Sequence, residues 1–403
     1  MDAEYRPITR DDLGAFTRVG TVAFGGEPFA PGTPLGFAES ELDRSRGAFV
    51  GDEIVGTGRN YSFELTVPGG AVIPAAGVSW IAVMHSHRRR GVLRGMMAAL
   101  DDDAAAHGEA VSMLTASEGG IYGRFGYGVA TWRTHLHVER AHSAFVSAPR
   151  DEGRFRYLSR AEALEQFPRV FARAMPLRPG MVSRPDAWWE ESLFNFAPPT
   201  KASFFVLHEA ADGTADGFVT YEISGDFTEG INRKTLTVLD LVALTSEVRA
   251  LLWHFAFSVD LIETVAASQI ALDDPLRFLL ADVRRLRVDA VNDHLWLKII
   301  DVESALEARR YSTTDRVVLE IQDGPKVTRV ALDGAPDTAV CRTTKASPDL
   351  VLGIAQLGSI YLGGVRAEQL AAAGTVSERT RGALARVDAM FASYPTAHCS
   401  TWF

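Results

Sequence analysis

Residues 84–100, MHSHRRRGVLRGMMAAL, place three consecutive arginines and a glycine between an apolar run and a helical pattern. Upstream, GVSWIAVM (77–84) reads as a strand. Downstream, Val92, Leu93, Met96, Met97, Ala99 and Leu100 recur at helical spacing until His107-Gly108, a C-terminal stop. A strand that enters a helix through a glycine-bearing loop is an anion site, because first-turn N–H groups lack intrahelical partners and the helix dipole favours negative charge there. Gly91 lets the backbone approach a ligand, and Arg88, Arg89 and Arg90 add charge-assisted contacts. No Gly-Lys-Ser/Thr sequence is present, which excludes a Walker-type loop, and a single glycine in the turn excludes a dinucleotide fingerprint. A pyrophosphate-bearing ligand remains, with coenzyme A the leading candidate. A solvated surface run or a partner-protein patch is the bland reading of the same arginines.

The basic run is a local exception in a chain of 403 residues with a formal charge of −10, 47% hydrophobic and 23% charged. That composition fits a soluble globular protein of two or three domains. It argues against a nucleic-acid partner and suits cationic substrates. The longest apolar run, ALLWHFAFSV (250–259), falls far short of a membrane span, and MDAEYRPITRDD carries no secretion-signal pattern. A cytoplasmic location without a membrane partner is expected. Cys341 and Cys399 form neither a disulfide framework nor a zinc finger. The pairs His85/His87 and His135/His137 lack a convincing third ligand, so no metal is expected.

Along the chain, GAFVGDEIVGTGRNYSFELTV (47–67) reads as two strands around a Gly51-Asp52 turn, and VSMLTAS (111–117) as another. The glycine-rich EGGIYGRFGYG (118–128) and a strand TWRTHLHVE (131–139) follow, and a polar joint near 141–153 marks a boundary. The middle third repeats this grammar weakly: strands GFVTYEI (217–223) and TLTVLDLVAL (235–244), then a helix EVRALLWHFAFSVD (247–260). Thr245, Ser246, Glu247 and Val248 stand where the first copy has its arginines and Gly91, so the second copy lacks the anion site. From about Asp293, LWLKIID, VVLEIQD and VTRVALDG read as successive strands. The expected domains are 1–145, 146–292 and 293–403. Asp101–Asp103, mid-helix, reads as a solvated face.

Arg88-Arg89-Arg90-Gly91-Val92-Leu93 resembles the acyl-CoA loop of GCN5-related N-acetyltransferases, Gln/Arg-x-x-Gly-x-Gly/Ala, with Leu93 in place of the small residue. Together with SEGGIYGRFGYG (117–128) and SIYLGG (359–364) near an aromatic end, the whole chain resembles the enhanced intracellular survival (Eis) family of aminoglycoside N-acetyltransferases. The resemblance implies an α/β (α+β) fold: two tandem GCN5-related acetyltransferase domains, the second degenerate, and a C-terminal sterol-carrier-protein-2-like domain. It implies acetyl-CoA as cosubstrate, a homo-hexamer, and acetylation of several amines of small polycations such as aminoglycosides, a resistance activity.

By the same resemblance Ile81, Ala82 and Val83 supply the strand edge for the pantetheine arm. Arg88, Arg89 and Gly91 hold the pyrophosphate, and Val92 and Leu93 complete the turn. Ser117 and Glu118 fall where the family lines the reaction site, Tyr122 matches the general acid, and the C-terminal carboxylate, here that of Phe403, matches the general base. Phe24 matches a substrate-pocket aromatic, but Gly25 and Gly26, then Glu27, follow it where the family has an acidic residue at once. Trp402 occupies a penultimate place that is acidic in the family. From the residues alone, Tyr127 is as well placed as Tyr122, Phe24 reads equally as core of the first helix, and Phe403 as a packed end. The alternatives are a protein-lysine or polyamine acetyltransferase of the same fold, and a lipid-binding or scaffold protein built around the last domain. The intact Arg88–Gly91 loop argues against the scaffold.

Overall fold

The computed structural model describes residues 3–27, 41–195, 203–228 and 231–403. They fall into two compact units, one of residues 1–131, 294–393 and 402–403, the other of residues 132–293 and 394–401.

In the first unit β1 (Glu4–Pro7), β2 (Ser45–Val50), β3 (Glu53–Thr66) and β4 (Val72–Val83) run antiparallel, with the Gly51-Asp52 turn between β2 and β3 as expected. The helix α1 (Leu13–Ala23) lies between β1 and β2 in sequence, and α2 (Val92–Ala106) joins β4 to the parallel β5 (Val111–Thr115). His107 closes α2, at the stop read from the sequence. Val92, Met96, Met97 and Leu100 form the buried face of α2 and pack with Val55, Val78 and Leu114 of the sheet.

The sheet does not close with the strand expected at 131–139. Leu295–Ile299 inserts beside β5, and β6 (Gly128–Val129) follows it. β7 (Trp132–Glu139) is instead hydrogen-bonded into the sheet of the second unit, between Arg287–Asp293 and Thr264–Ile270. Alternation of apolar and polar residues specifies a strand and its faces but not the sheet it joins.

Of Asp101–Asp103, expected as a solvated face, only Asp102 is exposed. Asp103 is buried: Arg44 reaches its Oδ2 at 2.9 Å, Arg46 its Oδ1 at 2.7 Å, and Asn60 donates to it at 2.9 Å. The same Arg44 guanidinium bonds both oxygens of Glu109, at 2.7 and 2.6 Å. Asp101 pairs with Lys298 on the inserted strand at 2.6 Å. Paired and bidentate, these charges are tolerable away from water. They tie α2 to β2, β3 and the inserted strand.

The first unit also holds a five-stranded sheet of Ala339–Thr343, Lys326–Gly334, Asp315–Asp323, Leu350–Gly353 and Val376–Glu378, in that order. Helix Ile354–Tyr361 joins it to the inserted strand through two glycines. A Cβ at Gly358 would collide with the Leu297 carbonyl, and one at Gly128 with the Ala355 carbonyl.

In the second unit, the parallel strands Thr235–Ala243 and Thr264–Ile270 flank helix Ser246–Ser258, repeating the β4–α2–β5 arrangement. Leu252, Trp253 and Ala256 of that helix are fully buried against Val219, Leu236 and Val265. His208, 3% exposed, lies between two carboxylates, with Nδ1 2.6 Å from Asp216 and Nε2 3.1 Å from Asp151. Burial favours the neutral ring, but the hydrogen bonds and charges of Asp216 and Asp151 outweigh it, and the His208 pKa lies above the ordinary histidine value. The imidazolium, with both nitrogens donating, is the form this site favours.

A pKa raised by folding stabilises the folded state fully below the unfolded value, about 6.5, and that stabilisation disappears as pH rises through the higher folded value. Thermal unfolding should therefore move several degrees lower on going from mildly acid to mildly alkaline buffer. His208→Gln should be less stable than the native protein in acid and flatten this dependence. Identical pH profiles for the two proteins would exclude the His208 contribution.

Candidate active site

β4 and β5 pair only at Ala75–Val111, Ala76–Ser112 and Gly77–Met113. Beyond Gly77, β4 continues along β3 to Val83, while β5 continues to Thr115 paired with Leu295–Ile299. At this divergence lies a cleft of about 400 Å³. β4 lines it with Val78, Ser79, Trp80 and Ile81, and the other side carries Thr115, Ser117 and Tyr122. Gly20, Thr21 and Phe24 line it from α1 and its C-terminal end, and Trp402 and Phe403 complete the wall.

A bulge aims Trp80. Ser79 faces Arg59 and Ala82 faces Thr57, so Trp80 and Ile81 together oppose Gly58. Trp80 takes φ +54°, a conformation that costs a side-chain-bearing residue about 1–2 kcal/mol. Two contacts hold it: the Thr57 hydroxyl donates to the Trp80 carbonyl at 2.8 Å, and the indole packs over Gly20, where a Cβ would sit 2.9 Å from the ring.

The arginine loop ends in Gly91 at φ +86°, the N-cap of α2. No side chain caps this helix and no acid stands in its first turn, while Arg88, Arg89 and Gly91 are exposed. The loop is anchored from behind: Val92 is buried, its carbonyl accepts from the Tyr5 hydroxyl at 3.2 Å, and Leu93 packs on the same core. In the second unit the matching helix end is closed. Thr245 Oγ1 accepts from the Val248 N–H at 3.2 Å, and Glu247 sits in the first turn. Hydrogen bonds from its own backbone N–H and from Thr245 hold the Glu247 pKa below the usual range. The chain supplies its own anion there, whereas α2 leaves that place open.

The two rival tyrosines have different surroundings. Tyr127 is 1% exposed, its hydroxyl 2.7 Å from Ser112 Oγ, and it is absent from the cleft lining. Tyr122, from α3 (Gly119–Tyr122), lines the cleft while 7% exposed. Burial first, and the Glu118 charge second, raise the Tyr122 pKa. Glu118 itself is the exposed N-cap of α3 and does not line the cleft.

Phe24 is 63% exposed and lines the cleft, so it is no core residue of α1, while Glu27 is exposed and outside the lining. Ile81 lines the cleft; Ala82 and Val83 continue β4 beyond it. Phe403 accepts a hydrogen bond from Thr115 Oγ1 at 3.0 Å, and Trp402 stacks on His294 with ring centroids 5.4 Å apart. Trp80 and Thr115 were missed by sequence reasoning. Trp80 carries a weak signal, the sole aromatic in an otherwise aliphatic strand run; Thr115 carries none.

Models of acetyltransferase (GNAT) domains match residues 4–130 and 180–299, and a sterol carrier protein domain matches residues 302–400. An uncharacterized N-acetyltransferase of Streptomyces griseus is 36% identical over 97% of both chains. The N-acetyltransferase Eis of Mycobacterium tuberculosis is 37% identical over 86% of this chain and 85% of its own length. Among solved structures, Eis1 from Mycobacterium abscessus superposes with a TM-score of 0.89 at 33% identity, covering 99% of this chain and 100% of that one. The open helix end in the first acetyltransferase domain and its self-capped counterpart in the second thus sit within a shared three-part architecture, and the chain belongs to the Eis family of GCN5-related N-acetyltransferases.

Proposed function

We propose that this N-acetyltransferase uses acetyl-CoA to acetylate primary amines of small polycations, aminoglycosides among them. One observation carries the reading: a single cleft gathers the divergent β4 edge, Tyr122 and Phe403, and the unit that contains it has an uncapped helix N-terminus bearing Arg88–Gly91. The cosubstrate supplies an acetyl thioester. The first-turn N–H groups of α2, with Arg88 and Arg89, bind the pyrophosphate, and the β4 edge at Ile81, Ala82 and Val83 receives the pantetheine arm; Ser117 lies on the opposite wall. A C–N bond forms as the amine attacks, and the C–S bond breaks as the thiolate leaves. Tyr122 donates its proton to the departing sulfur, and the Phe403 carboxylate takes the proton of the new ammonium, directly or through water. Burial raises the Tyr122 pKa above the ordinary phenol value of about 10 while the leaving thiol lies near 8.5, so hydrogen bonding in the site has to assist the transfer.

Phe24, Trp80 and Trp402 offer aromatic faces to a cation, and the Phe403 carboxylate is a negative charge in the cleft. The family resemblance makes an aminoglycoside the first substrate to try; Glu27 and Glu118 serve as outer contacts for further ammonium groups. The family resemblance extends the proposal to a hexamer in the cytoplasm, with the division 1–145, 146–292 and 293–403 as its functional domains. Among the described residues, no helix is long and apolar enough to cross a membrane.

Thiol release from acetyl-CoA, assayed with aminoglycosides, polyamines and lysine peptides, tests the substrate class; no turnover on any amine would reject the reading. Addition of one residue after Phe403 should abolish turnover while acetyl-CoA still binds. Tyr122→Phe should lower kcat by about 100-fold with little change in the KM for acetyl-CoA; an unchanged kcat would remove Tyr122 as the acid.

Arg88→Ala and Arg89→Ala should each weaken acetyl-CoA binding by about 10-fold or more, as expected for the loss of a charge-assisted hydrogen bond. Calorimetric titration of CoA reads this directly. Unaltered affinity in both variants would return the arginines to the solvated surface.

A further inference from the structure

Trp402 and Phe403 are held in the first unit by a constructed seat. Thr115 is the last residue of β5, and its backbone is fixed by pairing with Leu295. Its side chain, half-buried at the cleft wall, donates from Oγ1 to the Phe403 oxygen at 3.0 Å. The Phe403 ring lies against Phe63, with centroids 4.8 Å apart and planes inclined by 51°. Gly77 makes room for both rings: a Cβ there would collide with Phe63 and sit 3.2 Å from Phe403 Cε2. The preceding Trp402 is stacked on the buried His294. Rings and stacking fix Trp402 and Phe403 in place, and the Thr115 hydroxyl fixes the rotation of the oxygen it bonds.

We infer that Thr115 is the positioning residue for the Phe403 carboxylate. Its hydroxyl engages one oxygen and thereby presents the other to the substrate amine. The inference rests on the proposed role of that carboxylate. A freely rotating carboxylate beside an amine spends much of its time misdirected, and a fixed one does not. The hydroxyl also favours the ionised form, because a donor to a carboxylate stabilises its charge. Thr115 thus acts through Phe403, not on the acetyl group.

The test compares native protein, Thr115→Val, Thr115→Ser, the form extended by one residue after Phe403, and the extended form carrying Thr115→Val. Valine keeps the branched shape and removes the donor; serine keeps the donor. Thr115→Val should lower kcat/KM for the amine by about 10- to 100-fold, the range for losing a hydrogen bond to a charged group, with acetyl-CoA affinity and melting temperature unchanged. Its acid-side pH limb should shift upward, since the carboxylate loses a partner for its charged form. Thr115→Ser should restore most of the activity, and Thr115→Val should add no further loss in the extended protein. If extension abolishes turnover but Thr115→Val behaves as native, the positioning role is overturned and the carboxylate reading stands. If extension leaves turnover intact, the carboxylate reading fails and this inference fails with it. A loss in Thr115→Val that serine does not rescue, or that lowers acetyl-CoA affinity equally, marks a packing role and overturns the inference.

Discussion

The pairing of Leu295–Ile299 with β5 is the constraint on which the rest of the first unit depends. It runs from Leu295–Thr115 to Ile299–Val111, so β5 keeps a hydrogen-bonded partner along its whole length after β4 has turned away at Gly77. Without that partner β5 would be an exposed edge beyond Met113, and Thr115 and Ser117 would have no fixed place opposite Trp80 and Ile81. The strand also brings Trp296 into the core beneath Tyr122 and Tyr127, Lys298 to Asp101 on α2, and, just ahead of it, His294 to Trp402. A segment about 180 positions downstream of β5 thus completes the sheet and the cleft together.

Among the described residues, several buried guanidinium groups and helix ends meet an opposite charge that the chain supplies itself. Arg44 faces two carboxylates. Arg309, fully buried, donates to the carbonyls of Tyr361 and Phe391, the last residues of helices Ile354–Tyr361 and Ala383–Phe391, and lies over the rings of Tyr311 and Phe391. Each helix C-terminus carries about half a negative charge, so two of them offset one guanidinium without a carboxylate. Thr245 and Glu247 do the equivalent for a helix N-terminus in the second unit. The start of α2 shares its lack of a side-chain cap and of a first-turn acid with α1 and with helices Ile354–Tyr361 and Ala383–Phe391, but the three consecutive arginines before it deepen the positive potential rather than balance it.

Much of this was legible in the chain because it is local. The β4–loop–α2–β5 unit, the end of α2 at His107, the turn at Gly51 and the erosion at 245–248 all follow from short-range patterns. What failed is what depends on distant partners. TWRTHLHVE and LWLKI both read correctly as strands, yet the sheet each joins was not legible, because period-two alternation is blind to which edge is free. Asp103 looked solvated because nothing near it in sequence predicts Arg44, which comes 59 positions earlier. Thr115 was invisible because a hydroxyl at the end of a strand has no motif, and the role inferred for it rests on Phe403 lying beside it.

The lining of the cleft bears on how an amine becomes reactive there. Aromatic rings from Phe24, Trp80, Tyr122, Trp402 and Phe403 surround a few hydroxyls, and the Trp80 bulge is held at an energetic cost in a conformation that points its ring inward. Desolvation in such a wall lowers the pKa of an entering ammonium and so favours the neutral nucleophile, whereas a carboxylate at contact distance stabilises the ammonium and opposes it. In the proposed reaction the two effects are compatible only if the carboxylate acts late. In that proposal the Phe403 carboxylate, which accepts from the Thr115 hydroxyl, is a weak base toward the entering ammonium but an adequate acceptor for the far more acidic ammonium formed once nitrogen has bonded to the acetyl carbon.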